Sequence, residues 1–447
     1  MQFYLLNLSV CGIKNIETPV EISFYKKTIN NDFDPQKYKI KAIYGENGSG
    51  KTAIITAVNI LRHLMIDQNY LGDNNTQRSL YEIVNRKNKS GFISCEYISK
   101  KDNSTFIFNY RISFEIQRDN RFYITGEELK YKKGISSKKA YTTVFEVENG
   151  VLNCLGNDQD VFGFIEKKTA NLLRKQSLLS SCVELFTDGK LQFEDDLIYS
   201  LISNAVSFGV SMDVWIDDVD DHTEYIHNHS FEYDSLLINE NAGESDNGYT
   251  NFLGDFFIGS KSDKVIPKVL LKYYKRKTEK MASFIKVFKP ELKNIELDTK
   301  EYGENLYKCN LKMIYDDYII DKEFESRGIK KIMELFDYLD RACRGGIVFI
   351  DELDANISDV YLDKMIEYFK LYGKGQLCFT AHNLSPMNVL KDSRNAIDFI
   401  SGINTVHTWT RHGNMSPENA YRNGFIEDSP FNVDASDFLG ILGDVDE

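Results

Sequence analysis

The chain has 447 residues, of which 42% are hydrophobic and 13% aromatic, so it can bury a substantial core and is not a disordered protein. This length fits two or three domains or one elaborated core. The formal net charge of −13 means that the surface as a whole repels nucleic acid, and any DNA contact requires a local basic patch. The seven cysteines show no CxxC spacing, which favours free thiols in a reducing cytoplasm over disulfides or a zinc site.

The amino-terminal segment has the pattern of β-strands and lacks that of a targeting signal. "FYLLNLSV" and "VEISFYK" predict two strands joined by a short turn, and no basic leader precedes a long apolar run. No stretch of 18 apolar residues occurs, so we expect no membrane span and a cytoplasmic protein.

Residues 44–54, "YGENGSGKTAI", match the spacing G-x-x-x-x-G-K-[ST] of a phosphate-binding loop. The β-rich run "YKIKAIYG" precedes the loop, and apolar residues at helical spacing follow it. Glycines allow backbone N–H groups to converge on phosphate oxygens, and the following helix contributes its amino-terminal dipole. We therefore predict a nucleotide site in which Lys51 reaches the β- and γ-phosphates and Thr52 ligates Mg²⁺. The other residues expected in this ATP-binding loop are Gly45, Asn47, Gly48, Ser49 and Gly50.

The remaining chain alternates between β-rich and helical patterns. Residues 90–155 predict an antiparallel sheet, and residues 160–290 are more helical, with "VIPKVLLKYYKRKTEKMASFIKVF" as the clearest helix. Strands return at 291–323, and "GIKKIMELFDYLDRA" predicts a helix. "KMIEYFKLY" predicts a further helix and "GQLCFTAHN" a strand, whereas the acidic tail at 433–447 is expected to be mobile.

"GGIVFIDELD", residues 345–354, predicts a buried strand that ends in two carboxylates. Beside a phosphate-binding loop, Asp351 is suited to hold Mg²⁺ through water, and Glu352 to orient or deprotonate the attacking water. The alternative is a pair of solvated carboxylates at a strand end.

Together with three further patterns, these two motifs resemble the ABC-type ATPases, in particular the branch that contains the SMC, RecF and OLD-like proteins. "FESRGIKKI" stands where the signature motif of that branch belongs, "DELDANIS" resembles its D-loop region with Asp354, and His382 in "FTAHN" resembles its switch histidine. The similarity covers residues 1–60 and 320–385 and is nearest to small bacterial AAA-family ATP-binding proteins related to OLD ATPases, which often occur in phage-defence pairs. Residues 356–359 depart from the Leu-His-Pro of many relatives.

The resemblance implies that Ser326 and Gly328 cap the γ-phosphate bound to an opposite subunit, so that ATP holds two chains together. It also implies that His382 contacts the γ-phosphate or the attacking water. The residues alone leave other interpretations open, because Ser326 is also suited to an ordinary helix N-cap and a lone histidine is often structural. Gln176 is a weak candidate for the glutamine of a Q-loop.

Three other groups of residues suggest binding sites less specifically. Asp and His residues are frequent in "WIDDVDDHTEYIHNHS", residues 215–230, without the spacing of a known metal site. Basic clusters that could contact DNA are Lys130, Lys132, Lys133, Lys138 and Lys139, and Lys272, Lys275, Arg276, Lys277 and Lys280, the second interleaved with Tyr273 and Tyr274. Such runs are also typical of solvated faces.

We therefore predict an α/β protein: a P-loop NTPase fold of the ABC-ATPase head type, with a mixed sheet, a flanking antiparallel sheet and a helical lobe insertion. The expected parts are an amino-terminal ATPase segment (1–160), a helical insertion (161–290) and a carboxy-terminal ATPase segment (291–447). The predicted activity is ATP hydrolysis with Mg²⁺ in a head-to-head homodimer or larger assembly that controls a separately encoded nuclease or toxin. The alternative is a RecF-like ATPase that binds DNA directly. The spacing of about 275 residues between Lys51 and Ser326 disfavours a transporter subunit.

Overall fold

The computed structural model describes residues 2–25, 33–101, 104–134, 140–156, 159–187, 196–217, 264–303, 305–410, 415–426 and 429. The strands are β1 (Gln2–Cys11), β2 (Val20–Ser23), β3 (Ile40–Tyr44), β4 (Ser90–Lys101), β5 (Ser104–Ile116), β6 (Phe122–Lys133), β7 (Thr142–Glu148), β8 (Val151–Leu155), β9 (Met212–Trp215), β10 (Lys264–Pro267), β11 (Asn294–Glu301), β12 (Leu306–Ile314), β13 (Ile319–Asp321), β14 (Ile347–Ile350), β15 (Gln376–Thr380), β16 (Ile397–Ile400) and β17 (Val406–Thr408). The α-helices are α1 (Lys51–Ile66), α2 (Asn74–Ile83), α3 (Gln159–Thr169), α4 (Leu178–Thr187), α5 (Asp196–Ser211), α6 (Leu271–Phe288), α7 (Arg327–Arg344), α8 (Asp359–Tyr372), α9 (Ser385–Leu390) and α10 (Pro417–Arg422).

The chain forms two compact units. The first comprises residues 1–210 and 378–447, and the second comprises residues 211–377. Strand β15 is divided by this boundary, because residues 376–377 belong to the second unit and residues 378–380 to the first. Among the described residues, no helix combines the length and apolar character that crossing a membrane requires.

A seven-stranded antiparallel sheet dominates the first unit, in the order β2-β1-β4-β5-β6-β7-β8. Strand β5 alternates buried and half-buried residues, as expected for a sheet with one face on a core. The residues 90–155 that predict an antiparallel sheet form five of these strands, so this prediction is confirmed. The two predicted amino-terminal strands join the same sheet, with Leu8 of β1 between Ile22 of β2 and Cys95 of β4.

The first unit also contains the strand that leads into the phosphate-binding loop. Strand β3 is buried along its whole length and pairs in parallel with β16, which pairs antiparallel with β17. At the centre of this pairing, Lys41 and Asp398 are fully buried and form an ion pair of 2.9 Å. Helix α1 then begins at Lys51 and buries residues on all its faces, so the predicted strand–loop–helix arrangement is confirmed.

The second unit places β9 parallel to β14, with Ile347 opposite Met212. A separate antiparallel group has the order β10-β12-β11, with β13 also paired to β12. Helices α6 and α7 are joined by a buried ion pair between Lys277 and Asp337, at 2.6 Å. The predicted strands of 291–323 and the helix of "GIKKIMELFDYLDRA" are confirmed.

Two strands interrupt the region that was predicted to be mainly helical. Strand β9 has only four residues, too few to reveal a period. Strand β10 takes the "VIP" with which the predicted helix began, and α6 starts only at Leu271. The physical reason is Pro267, which disfavours helical backbone in the residue before it.

Candidate functional site

The phosphate-binding loop runs from Gly45, directly after β3, to Lys51, the first residue of α1. Gly50 is the N-cap of α1 in a left-handed backbone conformation, with φ 112°. The turn after β1 supports the loop, because the side-chain amide of Asn15 donates a hydrogen bond to the carbonyl of Gly48. The sequence motif gave no indication of this contact with Asn15.

Glycine is required at position 45 because the end of β16 lies too close to leave room for a side chain. A Cβ at this position would lie 2.4 Å from the carbonyl oxygen of Ile400 and 2.6 Å from Oγ of Ser49. Both distances are shorter than any ordinary van der Waals contact, so a side chain would displace either β16 or the loop. The glycine at the start of the motif therefore fixes how closely the loop lies on the end of β16.

The loop itself carries two polar side chains, those of Lys51 and Ser49, that are suited to bind a ligand. The ammonium of Lys51 donates to the carbonyls of Gly45 and Glu46, at 2.8 and 3.0 Å, which holds it inside the curve of the loop. Ser49 is buried, and its hydroxyl has no hydrogen-bond partner among the described residues. Because an unpaired buried hydroxyl is costly, this group is suited to bind a ligand oxygen. The loop thus offers a cation, a hydroxyl and a helix N-terminus, which fit a polyphosphate.

A cavity of about 540 Å³ lies beside the loop, within the first unit. Its lining comprises residues 44–47 from β3 and the start of the loop, residues 381–384 after β15, and Tyr421 and Arg422 at the end of α10. The structure therefore brings His382, which is exposed, to the same cavity as Gly45 and Asn47. The sequence motifs did not identify α10 as part of this wall, because it matches no pattern.

In the second unit, Asp351 and Glu352 follow β14 directly. Asp351 is buried, and its backbone N–H donates to the carbonyl of Trp215 at 2.9 Å. Glu352 has a left-handed backbone conformation with φ 45°, which is unusual for a residue other than glycine. Left-handed backbone at such residues often occurs at functional sites, where surrounding contacts maintain it.

One of these contacts comes from Lys331 on α7, a residue that the sequence did not single out. Lys331 is buried, its Nζ donates to the carbonyl of Glu352 at 2.5 Å, and it lies 4.7 Å from the ring centre of Trp215. Burial lowers the pKa of Lys331, and the nearby carboxylates, first among them Asp354, oppose this effect only in part. Lys331 therefore stabilises the backbone of Glu352 at the cost of burying a cation.

The amino-terminal end of α7 carries the residues that resemble a signature motif. Ser326 is the N-cap of α7, with Oγ accepting from the N–H of Ile329 at 3.3 Å. A Cβ on Gly328 would lie 2.7 Å from the carbonyl oxygen of Asn356, so this glycine permits the helix to contact the turn after β14. The structure thus brings Ser326, Gly328 and the 351–356 turn together within one unit, whereas Lys51 and His382 belong to the other.

The structure also shows the surroundings of some of the less specific sequence candidates, namely Gln176 and the second basic cluster. Gln176 donates to Oγ of Ser181 at 2.6 Å in the turn before α4, so its amide supports that turn. Tyr274 and Lys277 of the second basic cluster are buried and cannot contribute to a surface patch. Lys138, Lys139 and residues 218–230 lie outside the described residues, and the described ones contain no group of three His, Cys, Asp or Glu side chains arranged to hold a metal.

Glu127 on β6 is a buried carboxylate that sequence reasoning did not identify. It accepts hydrogen bonds from the N–H groups of Leu178 and Leu179, at 2.5 and 3.2 Å, and from the hydroxyl of Tyr110 at 3.0 Å. Burial raises the pKa of Glu127 to about 7, although all three hydrogen bonds act in the opposite direction. Glu127 therefore caps α4 with a carboxylate that titrates near neutral pH.

Comparison with known proteins found similarity among solved structures. No family model matches the chain, and no curated protein matches it either. Among solved structures, the chain is similar to the Smc head domain with an extended coiled coil bound to the C-terminal domain of ScpA, from Pyrococcus furiosus. The two share 13% sequence identity with a TM-score of 0.42, over 91% of this chain and 96% of that one.

Proposed function

We propose that this protein binds and hydrolyses ATP as an ABC-type ATPase of the SMC, RecF and OLD-like branch. The observation that carries the proposal is the loop from Gly45 to Thr52. It lies between a buried strand and a buried helix, holds Lys51 within its curve and leaves the Ser49 hydroxyl available. These features fit the phosphates of a nucleotide better than an ordinary glycine turn does, because they concentrate donors and positive charge on one side.

The chain's residues have distinct proposed roles in this reaction. Backbone N–H groups of the loop, the Ser49 hydroxyl and Lys51 bind and orient the phosphates. Glu352 orients a water molecule and takes its proton, and His382 donates a hydrogen bond at the terminal phosphate. The hydroxyl of Thr52 and the carboxylate of Asp351 are oxygen donors of the kind that Mg²⁺ prefers. When bound, Mg²⁺ neutralises charge on the phosphate oxygens.

The resemblance extends the proposal to a dimer. Ser326, Gly328 and Asp354 would complete the site of a second copy, so that ATP holds two chains together and hydrolysis separates them. The same resemblance suggests that this cycle controls a separately encoded nuclease or toxin in anti-phage defence. The effector is proposed as a separate protein because the motif pattern contains no nuclease signature.

The test compares wild-type protein with Lys51→Ala and Glu352→Gln. We expect Lys51→Ala to lose ATP binding, and Glu352→Gln to bind ATP, stop hydrolysing it and form an ATP-dependent dimer in light scattering. Normal nucleotide binding by Lys51→Ala would refute the proposed site. Purified from the native host with ATP and Mg²⁺, Glu352→Gln should retain a stoichiometric nuclease or toxin that Lys51→Ala lacks, and the absence of such a protein would refute effector control.

Three exposed cations favour the RecF-like function as a second candidate. Lys272, Lys275 and Arg276 are exposed on α6, although Lys277 is paired with Asp337. Direct DNA binding through this surface would weaken steeply with salt, with a slope that decreases when the three residues are replaced by alanine. A slope that the triple variant does not change would exclude this surface as the DNA contact.

A further inference from the structure

The cavity beside the phosphate-binding loop has a wall that no sequence motif specifies, at the carboxy-terminal end of α10. Tyr421 and Arg422 form this wall. Tyr421 is buried, and its ring stacks on Phe399 with 5.4 Å between centres and 18° between planes. Because Phe399 belongs to β16, the strand paired with β3, the wall is attached to the same sheet as the loop.

Arg422 is held at this wall by one edge of its guanidinium. Its Nε donates to Oε1 of Glu418 at 3.0 Å, and Oε2 of Glu418 accepts from the side-chain amide of Asn388 on α9 at 2.6 Å. The guanidinium of Arg422 makes no other hydrogen bond within the described part of the chain. Its terminal NH₂ groups therefore retain donors, in the planar arrangement that suits a phosphate.

The charges around the cavity indicate the kind of ligand that Arg422 would meet. The carboxy-terminal end of α10 carries partial negative charge, and Glu46 lines the same cavity. Burial and the Glu46 carboxylate raise the pKa of Tyr421 to about 12. An anionic ligand is thus repelled by two features of the lining unless a cation compensates. Arg422 supplies a guanidinium to this lining. Tyr421 keeps its proton and can donate a hydrogen bond.

We propose that Arg422 contacts the terminal phosphate of the bound nucleotide and the negative charge that develops there during hydrolysis. The inference rests on the proposed function and adds to it a residue from outside the family's motifs. We place the terminal phosphate here rather than the nucleotide base, because the cavity is lined by Gly45 and Glu46, whose carbonyls hold the Lys51 ammonium, and by His382, the proposed contact of that phosphate. Glu418 then acts as a positioning residue, which fixes the guanidinium through Nε and leaves the NH₂ groups to the ligand.

The experiment compares Arg422→Ala and Arg422→Lys with Arg86→Ala as the matched control. Arg86, in the turn after α2, also forms an exposed ion pair with a glutamate four residues earlier, Glu82, but it does not line the cavity. We expect Arg422→Ala to weaken binding of ADP with beryllium fluoride and Mg²⁺, a mimic of the terminal phosphate, and to slow hydrolysis. Each loss should be about tenfold to a hundredfold, as for a hydrogen bond to a charged group. Affinity for ADP alone should stay unchanged, and Arg422→Lys should recover part of the loss.

Two results would overturn the assignment. If Arg422→Ala behaves like Arg86→Ala, the arginine serves only the helix; if it weakens ADP and the fluoride complex equally, it does not contact the terminal phosphate. A thermal melt of each variant verifies folding, and Glu418→Gln, which retains the arginine, should reduce hydrolysis by a smaller factor. The proposed function is judged separately, because it fails only if wild-type protein does not hydrolyse ATP or Lys51→Ala binds it normally.

Discussion

Replacing Lys331 by methionine tests whether α7 holds the proposed catalytic glutamate. Methionine has a similar volume and no donor, so it removes the hydrogen bond to the Glu352 carbonyl and the cation beside Trp215. The change leaves the carboxylate of Glu352 itself untouched. A loss of hydrolysis without a matching loss of stability would therefore arise from the position of Glu352.

The expected effect on stability is small, because two contributions oppose each other. A hydrogen bond from a charged donor contributes roughly 1.5–3 kcal/mol, whereas burying an ammonium costs several kcal/mol before its partners compensate. The lowered pKa of Lys331 shows that burial outweighs its carboxylate neighbours. We expect the free energy of unfolding to change by less than about 2 kcal/mol.

The expected effect on hydrolysis is larger. Left-handed backbone at a residue such as Glu352 costs about 1–3 kcal/mol, and Lys331 is one of the contacts that maintain it. If the lost hydrogen bond had kept the carboxylate beside the attacking water, kcat should fall about tenfold to a hundredfold. The dissociation constant for ATP should not change, because Lys331 does not belong to the phosphate-binding loop.

Single-turnover hydrolysis, nucleotide binding and thermal unfolding measure these three quantities. Lys330→Met is the control, since Lys330 precedes Lys331 on α7 and its Nζ also donates to a carbonyl, that of Glu323 at 3.1 Å. Lys331→Arg should retain part of the activity. Equal kcat values for the two methionine variants, or a loss of kcat that follows thermal stability alone, would refute the reasoning.

Three further predictions concern the packing of each unit. Burial raises the pKa of Glu127 from 4.5 to about 7, so between these pH values the folded state keeps a proton that the unfolded chain releases. The free energy of unfolding should therefore fall by about 3 kcal/mol as the pH rises from 4.5 to 7. Urea titrations of Glu127→Gln should lack this dependence on pH. Gly328→Ala should destabilise the second unit by roughly 1–3 kcal/mol in thermal unfolding, because its Cβ would meet the Asn356 carbonyl, whereas Gly163→Ala, which meets no atom, should not. Lys277→Met leaves Asp337 buried without its lysine and should cost about 3 kcal/mol by chemical denaturation, and the double variant with Asp337→Leu should recover most of this loss.

Local patterns in the sequence predicted much of the fold. Residues 90–155 have a clear period of two, and the glycines between β3 and α1 are spaced by the geometry of the loop, so both were recognised without distant contacts. Strand β9 was missed because four residues show no period, and its pairing with β14 depends on a residue far along the chain.

The candidate site was predictable only where a motif is contiguous. The loop from Gly45 to Thr52 has a fixed spacing, but Lys331 was hidden, because it looks like an exposed lysine on an amphipathic helix. Its role depends on burial against Trp215, which comes from another element. Tyr421 and Arg422 were missed for the same reason, since their helix reaches the loop through the stacking of Tyr421 on Phe399 of β16, the strand paired with β3.

The pairing of β3 with β16 has a consequence for how the protein matures during synthesis. The seven strands of the antiparallel sheet all precede residue 156, so this sheet can form while the ribosome is still translating the second unit. Strand β3 must wait, because its partner Ile397 and the Ile400 carbonyl against Gly45 are made much later. A nascent chain that stops before residue 397 would carry the phosphate-binding motif without β16, the strand against which Gly45 lies. Affinity for nucleotide should therefore arise late in translation. Chains truncated before β16 should bind chaperones and should bind ATP only weakly.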